Sequence, residues 1–249
     1  MRIDVLLGEA AVAPADVADR VVVVIDVLRA ATTVATALHH GARVVIPFET
    51  VDETATRAKA YERGEVKLAG ERRMKRIDGF DLGNSPAEYT RDAVGGFPIL
   101  YTTTNGTAAL AATHGARACF FAAFVNAAAT VAAVSDSAGG DHDVLIICAG
   151  SDRTIGLEDV VCAGRLVRGL LEAAPGATRG DGARVAELVE RPFLGGIASL
   201  AHEAEHARAL VAAGFEADVA ACLSLDQFDV AVRYHDRQLH LNTPLATTR

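Results

Sequence analysis

No apolar stretch in this sequence approaches the roughly 20 residues that span a bilayer, so a membrane-crossing chain is not expected. The start, MRIDVLLGEA, carries an acid at its fourth position and no long apolar run, which is not the pattern of a signal peptide. Positive charge is also short. Lysine and arginine number 24 against 32 acids, the net charge is −8, and lysine occurs only at Lys59, Lys67 and Lys75. Such a chain has no electrostatic reason to bind nucleic acid or an anionic membrane surface. An anionic ligand must then be held by local arginines, backbone N–H groups or a metal. The four cysteines, Cys119, Cys148, Cys162 and Cys222, form no C-x-x-C pair, and three lie in apolar stretches. They read as reduced core thiols of a cytoplasmic protein. Walker A and G-x-G-x-x-G motifs, internal repeats and low-complexity linkers are missing as well.

What is present is a globular composition, 51% hydrophobic and 22% charged, which excludes disorder. Short β-rich runs alternate with helical patterns. Strands are expected at Arg2–Leu7, Val21–Asp26, Arg43–Phe48, Val66–Ala69, Ile99–Thr102, Arg117–Ala122 and Val144–Cys148. Helices are expected at Arg29–His40, Val51–Arg63, after Pro86, at Gly106–Thr113, Ala127–Ser137 and Leu157–Ala173. The segment Gly70–Ser85 reads as a long loop. After Pro175 the link PGATRGDG leads to helical stretches near Val185–Glu190, Ser199–Ala213 and Glu216–Leu223, and Phe228–Leu241 alternates like a strand or hairpin. Alternating strands and helices imply a three-layer α/β/α fold with a mainly parallel, mixed central sheet. One domain is expected over 1–249, with 1–174 as the alternating core and 175–249 as a helical segment ending in a strand or hairpin.

In open parallel sheets ligands sit beyond the carboxyl ends of the strands. Asp26 closes the first buried strand, and Arg29 stands just beyond it. A carboxylate there can hold Mg²⁺ and an arginine can grip phosphate or sulfonate oxygens, although a salt-bridged helix cap would look the same. Thr102-Thr103-Thr104-Asn105-Gly106-Thr107 brings hydroxyls, an amide and a glycine to a helix N-terminus, more polar groups than one cap needs. The loop Gly70–Ser85 mixes acids, arginines and glycines and suits a substrate lid or a solvated surface loop. Cys148-Ala149-Gly150 follows a strand, and Glu158 and Asp159 open the next helix, where they could ligate Mg²⁺ directly or through water, or simply satisfy the helix dipole.

Three motifs mislead. His202-Glu203-Ala204-Glu205-His206 matches H-E-x-x-H, which would make a zinc hydrolase, but Glu205 adds a charge beside the second histidine and Ala209 replaces the metzincin glycine. A solvated, charge-dense helix face is expected there, with both histidines dispensable. Cys148 and Arg153 have four intervening residues where a cysteine phosphatase loop has five. Asp26-Val27-Leu28 has leucine where an aspartyl-phosphatase motif has its second acid.

The strings VVVVIDVLRAATTVATAL, LAGERRMKRIDGFDLGNSPAEY, TTTNGTAAL and CAG followed by LEDVVCAG occur in this order. Together they resemble the 2-phosphosulfolactate phosphatase family, from about Val21 to Gly169. EHARALVAAGF and EADVAACLSLDQFDVAV resemble it more loosely, and His206-Ala207 stands where the family usually has a His-Gly or Asn-Gly pair. The resemblance implies a magnesium-dependent phosphatase with its own α/β/α fold. Its reaction converts (R)-2-phospho-3-sulfolactate and water to (R)-3-sulfolactate and phosphate, which serves coenzyme M biosynthesis in methanogens. Matched motif positions are Asp26, Arg29, Glu71, Arg72, Asp81, Asn84, Ser85, Thr103, Thr104, Asn105, Gly106, Asn126, Cys148, Glu158 and Asp159.

The resulting expectation is Mg²⁺-dependent hydrolysis of a small phosphorylated, sulfonated or carboxylated acid. Asp26, Asp81 and Glu158 or Asp159 would bind the metal. Asp26, Arg29 and Asn105 would form the catalytic set, with attack by water or by Asp26 itself. Thr103, Thr104, Gly106, Arg72, Asn84, Ser85 and Asn126 would hold the substrate. A non-catalytic anion-binding or regulatory protein on the same fold is the alternative. A homodimer is the base-rate expectation.

Overall fold

The computed structural model describes residues 1–8, 12–104, 106–151 and 154–242. The strands are β1 (Arg2–Leu6), β2 (Val21–Ile25), β3 (Val44–Pro47), β4 (Lys67–Arg72), β5 (Lys75–Arg76), β6 (Pro98–Thr102), β7 (Ala118–Ala122), β8 (Val144–Cys148), β9 (Thr178–Arg179), β10 (Val232–His235) and β11 (Gln238–Leu241). The helices are α1 (Pro14–Val17), α2 (Ala30–His39), α3 (Val51–Ala58), α4 (Arg91–Val94), α5 (Gly106–Ala111), α6 (Ala127–Ala138), α7 (Leu157–Ala173), α8 (Asp181–Glu190), α9 (Leu200–Glu203), α10 (Glu205–Ala212) and α11 (Glu216–Cys222). All the strands join one sheet in the order β5-β4-β6-β3-β11-β10-β7-β2-β8-β1-β9. The expected class, an α/β fold with helices flanking a mixed and mostly parallel sheet, is the one observed.

The strands form where apolar β-formers run without interruption. VVVVI of β2, ACFFA of β7 and VLIIC of β8 are buried at every position. Residues alternate between the two faces of a strand, so burial throughout means cover on both faces. Helix α2 is also buried from Ala30 to Leu38. Its small side chains let it lie close among its neighbours, and Thr32 and Thr36 turn their hydroxyls back to the carbonyls of Val27 and Thr32, so no polar atom of theirs is stranded. Among the described residues no helix is long and apolar enough to cross a membrane.

Strand polarity departs from the simple parallel expectation. β4, β6 and β3 are parallel, and β7, β2, β8, β1 and β9 are parallel. Between these blocks the C-terminal hairpin β10–β11 pairs antiparallel to β7 on one side and to β3 on the other. Three antiparallel steps reverse direction, so the blocks run opposite to each other. Their carboxyl ends would separate in a flat sheet. Twist of about 20–25° per strand step, accumulated over the five steps from β2 to β6, turns one block by roughly 100° or more relative to the other. The two ends do meet: a methyl group added to Gly106, just after β6, would lie 2.7 Å from Asp26 Oδ2 and 3.3 Å from the Phe121 ring.

Several segments differ from the sequence expectation for local reasons. Gly70–Ser85 is not simply a long loop, because β4 continues through Gly70 and folds back as β5, pairing Glu71 with Arg76 and Arg72 with Lys75. Gly70 (φ +142°) permits this, since a side chain there would strike the Thr102 carbonyl at 2.0 Å. Part of the expected link after Pro175 pairs with β1 as β9. The stretch Ser199–Ala213 is not one helix. Buried Ala204 is extended (ψ 131°) and separates α9 from α10.

All four cysteines are buried and free. Burial pushes the Cys119 and Cys222 thiols up to about 12 and the Cys148 and Cys162 thiols well above their usual range. Only the thiolate reacts readily. Native protein at pH 8 should therefore leave all four thiols unlabelled by a disulfide reagent over minutes, and guanidinium should expose four. Rapid native labelling of one would contradict this packing.

Candidate active site

The cleft lies where the two sheet blocks meet and has a volume of about 390 Å³. Asp26, Leu28, Arg29 and Ala30 supply one wall, from the turn between β2 and α2. Glu71, Arg72, Arg73 and Met74 come from the β4–β5 hairpin, and Thr103 and Thr104 from the end of β6. Asn84, Ser151, His206 and Leu210 complete it.

Asp26 is 5% exposed. Its Oδ1 accepts the Ala30 N–H at 3.1 Å, at the start of α2. Burial pushes its carboxyl up to about 6; the Ala30 N–H and His206 oppose this, and the charges of Glu158 and Glu71 add to it. Asp159 is buried beside it. Its Oδ1 accepts the Val27 N–H and its Oδ2 the Gly150 N–H, both at 2.9 Å, so one carboxylate ties together the turns after β2 and β8. Burial, then Glu158 and Asp26, hold its carboxyl well above the usual range.

Glu158 differs. Its Oε1 lies 3.7 Å from His206 Nδ1, while its buried Oε2 has no hydrogen-bond partner among the described residues. Burial disfavours the His206 imidazolium, but Glu158 and Asp26 outweigh that penalty and raise its pKa above the ordinary value. Thr103 Oγ1 is also buried without a partner.

Arg29 is held on three sides. Nη1 donates to Asp218 Oδ2 at 2.6 Å, Nη2 donates to the Met74 carbonyl at 2.8 Å, and the guanidinium lies 4.3 Å over the Phe215 ring. Asp218 Oδ1 accepts the Ser85 hydroxyl at 2.6 Å. Glu71 is equally committed: Oε1 accepts the Thr104 N–H and hydroxyl, and Oε2 accepts the Met74 N–H.

The sequence that builds this site is similar to sequences of known proteins. The family model described as 2-phosphosulpholactate phosphatase matches residues 9–237. The chain belongs to this family. A Clostridium beijerinckii protein named "Probable 2-phosphosulfolactate phosphatase" is 32% identical over 239 residues, covering 96% of this chain and 99% of its own. Proteins of the same name from Symbiobacterium thermophilum and Thermotoga maritima are 37% and 36% identical, covering 91% and 84% of this chain and 96% and 86% of their own.

The family motifs do not all reach the cleft. Asp26, Arg29, Arg72, Asn84, Thr103 and Thr104 line it, and Gly106 abuts Asp26. Asp81 is a correction. It is exposed, lies outside the cleft lining, and its Oδ2 accepts the Leu68 N–H at 2.8 Å, so it fastens the segment after β5 to the start of β4. Asn126 is another. It is fully buried, caps the Ala123 N–H and donates to the Val230 carbonyl, so it stitches the turn after β7 to the C-terminal segment. Ser85 is turned to Asp218, and the Arg72 guanidinium is taken by the carbonyls of Glu71 and Glu49 and by Thr102 Oγ1. Asn105 and Arg153 lie outside the described residues. The zinc motif fails because His202 is exposed on α9 while His206 lines the cleft from α10, so the two do not share one helix face. His206 is thus no part of a solvated face. Nothing in the local sequence marks His206 and Asp218 as site residues, because only the tertiary fold brings α10 to Glu158 and α11 to Arg29.

A carboxyl raised from 3.8 to about 6 is charged at neutral pH at a cost to the fold. That cost is absent below the unfolded pKa and grows as pH rises toward the folded one. In metal-free buffer Asp26→Asn should therefore stabilise the protein at pH 8 by about 3 kcal/mol, with the gain shrinking between pH 6 and 4. Denaturant melts at both pH values measure this, and a variant less stable at pH 8 would contradict the burial of an incompletely compensated charge.

Proposed function

We propose that this chain is a phosphoric monoester hydrolase acting on 2-phosphosulfolactate or a closely related phosphorylated acid, with Mg²⁺ as cofactor. Family membership across most of the chain supports the reaction class. The observation that carries the site assignment is the buried, negatively charged junction around Asp26 and Glu158, open to a cleft lined by arginines and threonines.

Among the described residues no three His, Cys, Asp or Glu side chains are grouped to cage an ion. Mg²⁺ does not need such a cage, because it takes one or two carboxylates and completes its shell with water and substrate phosphate. With Asp81 outside the cleft lining and both Asp159 oxygens engaged by backbone, Asp26 and Glu158 remain as the donors. The unpartnered Oε2 of Glu158 is the atom that fits this role best. When bound, Mg²⁺ supplies charge neutralisation for the phosphoryl oxygens.

The protein's own groups do the rest. Asp26 orients the attacking water, whose oxygen bonds to phosphorus as the ester P–O bond breaks and the alcohol leaves with a proton. Direct attack by Asp26 is disfavoured, because Leu28 stands where a second acid would serve the leaving group. Arg29, held rigidly by Asp218, sets positive charge beside the phosphoryl group. His206 holds Glu158 and faces the same space. We place the enzyme in the cytoplasm, where four unpaired thiols stay reduced.

Phosphate release from 2-phosphosulfolactate tests the reading. EDTA should abolish it, and Mg²⁺ should restore it without Zn²⁺. Asp26→Asn should lower kcat at least about a hundredfold while the protein stays folded, as expected for loss of a charge at the reacting centre. His206→Ala should lower kcat/KM by about tenfold or more, and His202→Ala should change it less than about twofold. No hydrolysis with any divalent metal, or a fully active Asp26→Asn, would overturn the assignment.

A further inference from the structure

The tip of the β4–β5 hairpin has an expensive conformation for its sequence. Arg73 (φ 53°) and Met74 (φ 67°) are both left-handed, and they form the two-residue turn between the paired residues Arg72 and Lys75. Such turns favour Asn-Gly, because long side chains resist positive φ. Here two long side chains occupy it, and the turn is held from below: Glu71 accepts the Met74 N–H and Arg29 donates to the Met74 carbonyl. The result is an arginine fixed at the lip of the cleft.

Of the three arginines lining the cleft, two are committed. Arg29 serves Asp218 and the Met74 carbonyl, and Arg72 serves two carbonyls and Thr102. Arg73 is exposed and has no ion-pair or hydrogen-bond partner among the described residues. Thr103 offers a buried, unpartnered hydroxyl on the same cleft. Arg72, expected from the sequence to help hold the substrate, directs three N–H contacts to Glu71, Glu49 and Thr102 and is thereby turned to the protein.

We propose that Arg73, with Thr103 Oγ1, binds the non-reacting acidic group of the substrate and so selects phosphoesters that carry a second acid over plain phosphate monoesters. This rests on the phosphatase reading. The reacting phosphate lies toward Asp26, and the second acid, a sulfonate or a carboxylate, lies toward the hairpin tip. An arginine fork matches either group.

The test compares 2-phosphosulfolactate, 2-phospholactate and isopropyl phosphate as substrates of wild type, Arg73→Asn and Arg73→Lys. Asparagine tolerates the left-handed turn and removes the cation, so it keeps the hairpin while testing the charge. Arg73→Asn should reduce the preference for phosphosulfolactate over isopropyl phosphate at least about tenfold, with the loss mainly in KM, as for removal of one charge-assisted contact. Arg73→Lys should recover part of it. A loss confined to the step from phospholactate to phosphosulfolactate assigns the sulfonate, and one seen already between isopropyl phosphate and phospholactate assigns the carboxylate; either supports the proposal. An unmoved preference, or equal losses on all three esters, would overturn it. Calorimetric binding of 3-sulfolactate to the same proteins separates this from failure of the phosphatase reading. If wild type hydrolyses none of the esters but binds sulfolactate at least about tenfold tighter than Arg73→Asn does, the reaction is wrong and the anion site stands. If both bind it equally, or neither does, the anion site falls.

Discussion

The Arg29 guanidinium is the point on which the site depends. It is 3% exposed and reaches two parts of the chain that are distant in sequence: the Met74 carbonyl at the β4–β5 tip, and Asp218 and the Phe215 ring at the start of α11. A buried cation is tolerable only when its charge and donors are matched. The first sheet block therefore cannot present Arg29 unless the hairpin of the second block and the C-terminal helices are already in place. Asp218 extends the same logic to Ser85. The cleft is thus assembled in part by the need to match one buried cation.

The C-terminal hairpin sets this geometry. β10 and β11 stand in the middle of the sheet, not at its margin, and their antiparallel pairing turns the two parallel blocks against each other. Two groups of strand ends then face a common space. One brings carboxylates at Asp26 and Glu158, and the other brings Thr103, Thr104 and the arginine hairpin. A uniformly parallel sheet would put all loops on one edge but would not oppose an acidic wall to a basic lip across a cleft.

Much of the fold was legible because its signals are local. Uninterrupted apolar runs mark β2, β7 and β8, and Gly106 marks a close approach that the structure explains by its contact with Asp26. The strand-end rule found Asp26 and the threonine turn. What was not legible depends on tertiary partners. Asp81, Asn126 and Ser85 sit in the same distinctive strings as the cleft residues, but their hydrogen bonds go to Leu68, Val230 and Asp218. Conversely, His206 looked like one charge on a solvated helix, because nothing in its local sequence announces the break at Ala204 that sends α10 toward Glu158.

The distribution of charge within the cleft carries the last step. Asp26, Glu158 and Asp159 crowd one end with negative charge, and burial makes that crowding costly, as the raised carboxyls of Asp26 and Asp159 show. His206 supplies part of the compensation, while the Arg29 charge is paired with Asp218. The uncompensated remainder is what a divalent cation would neutralise, and it disfavours a free anion at that end until a cation is present. At the hairpin end the imbalance has the opposite sign, with Arg73 lacking a protein partner among the described residues. A ligand that satisfies both ends must bring anionic groups at two separated positions, one to share a cation with Asp26 and one to meet the arginine. A phosphorylated acid has that charge pattern, and a plain phosphate monoester supplies only half of it.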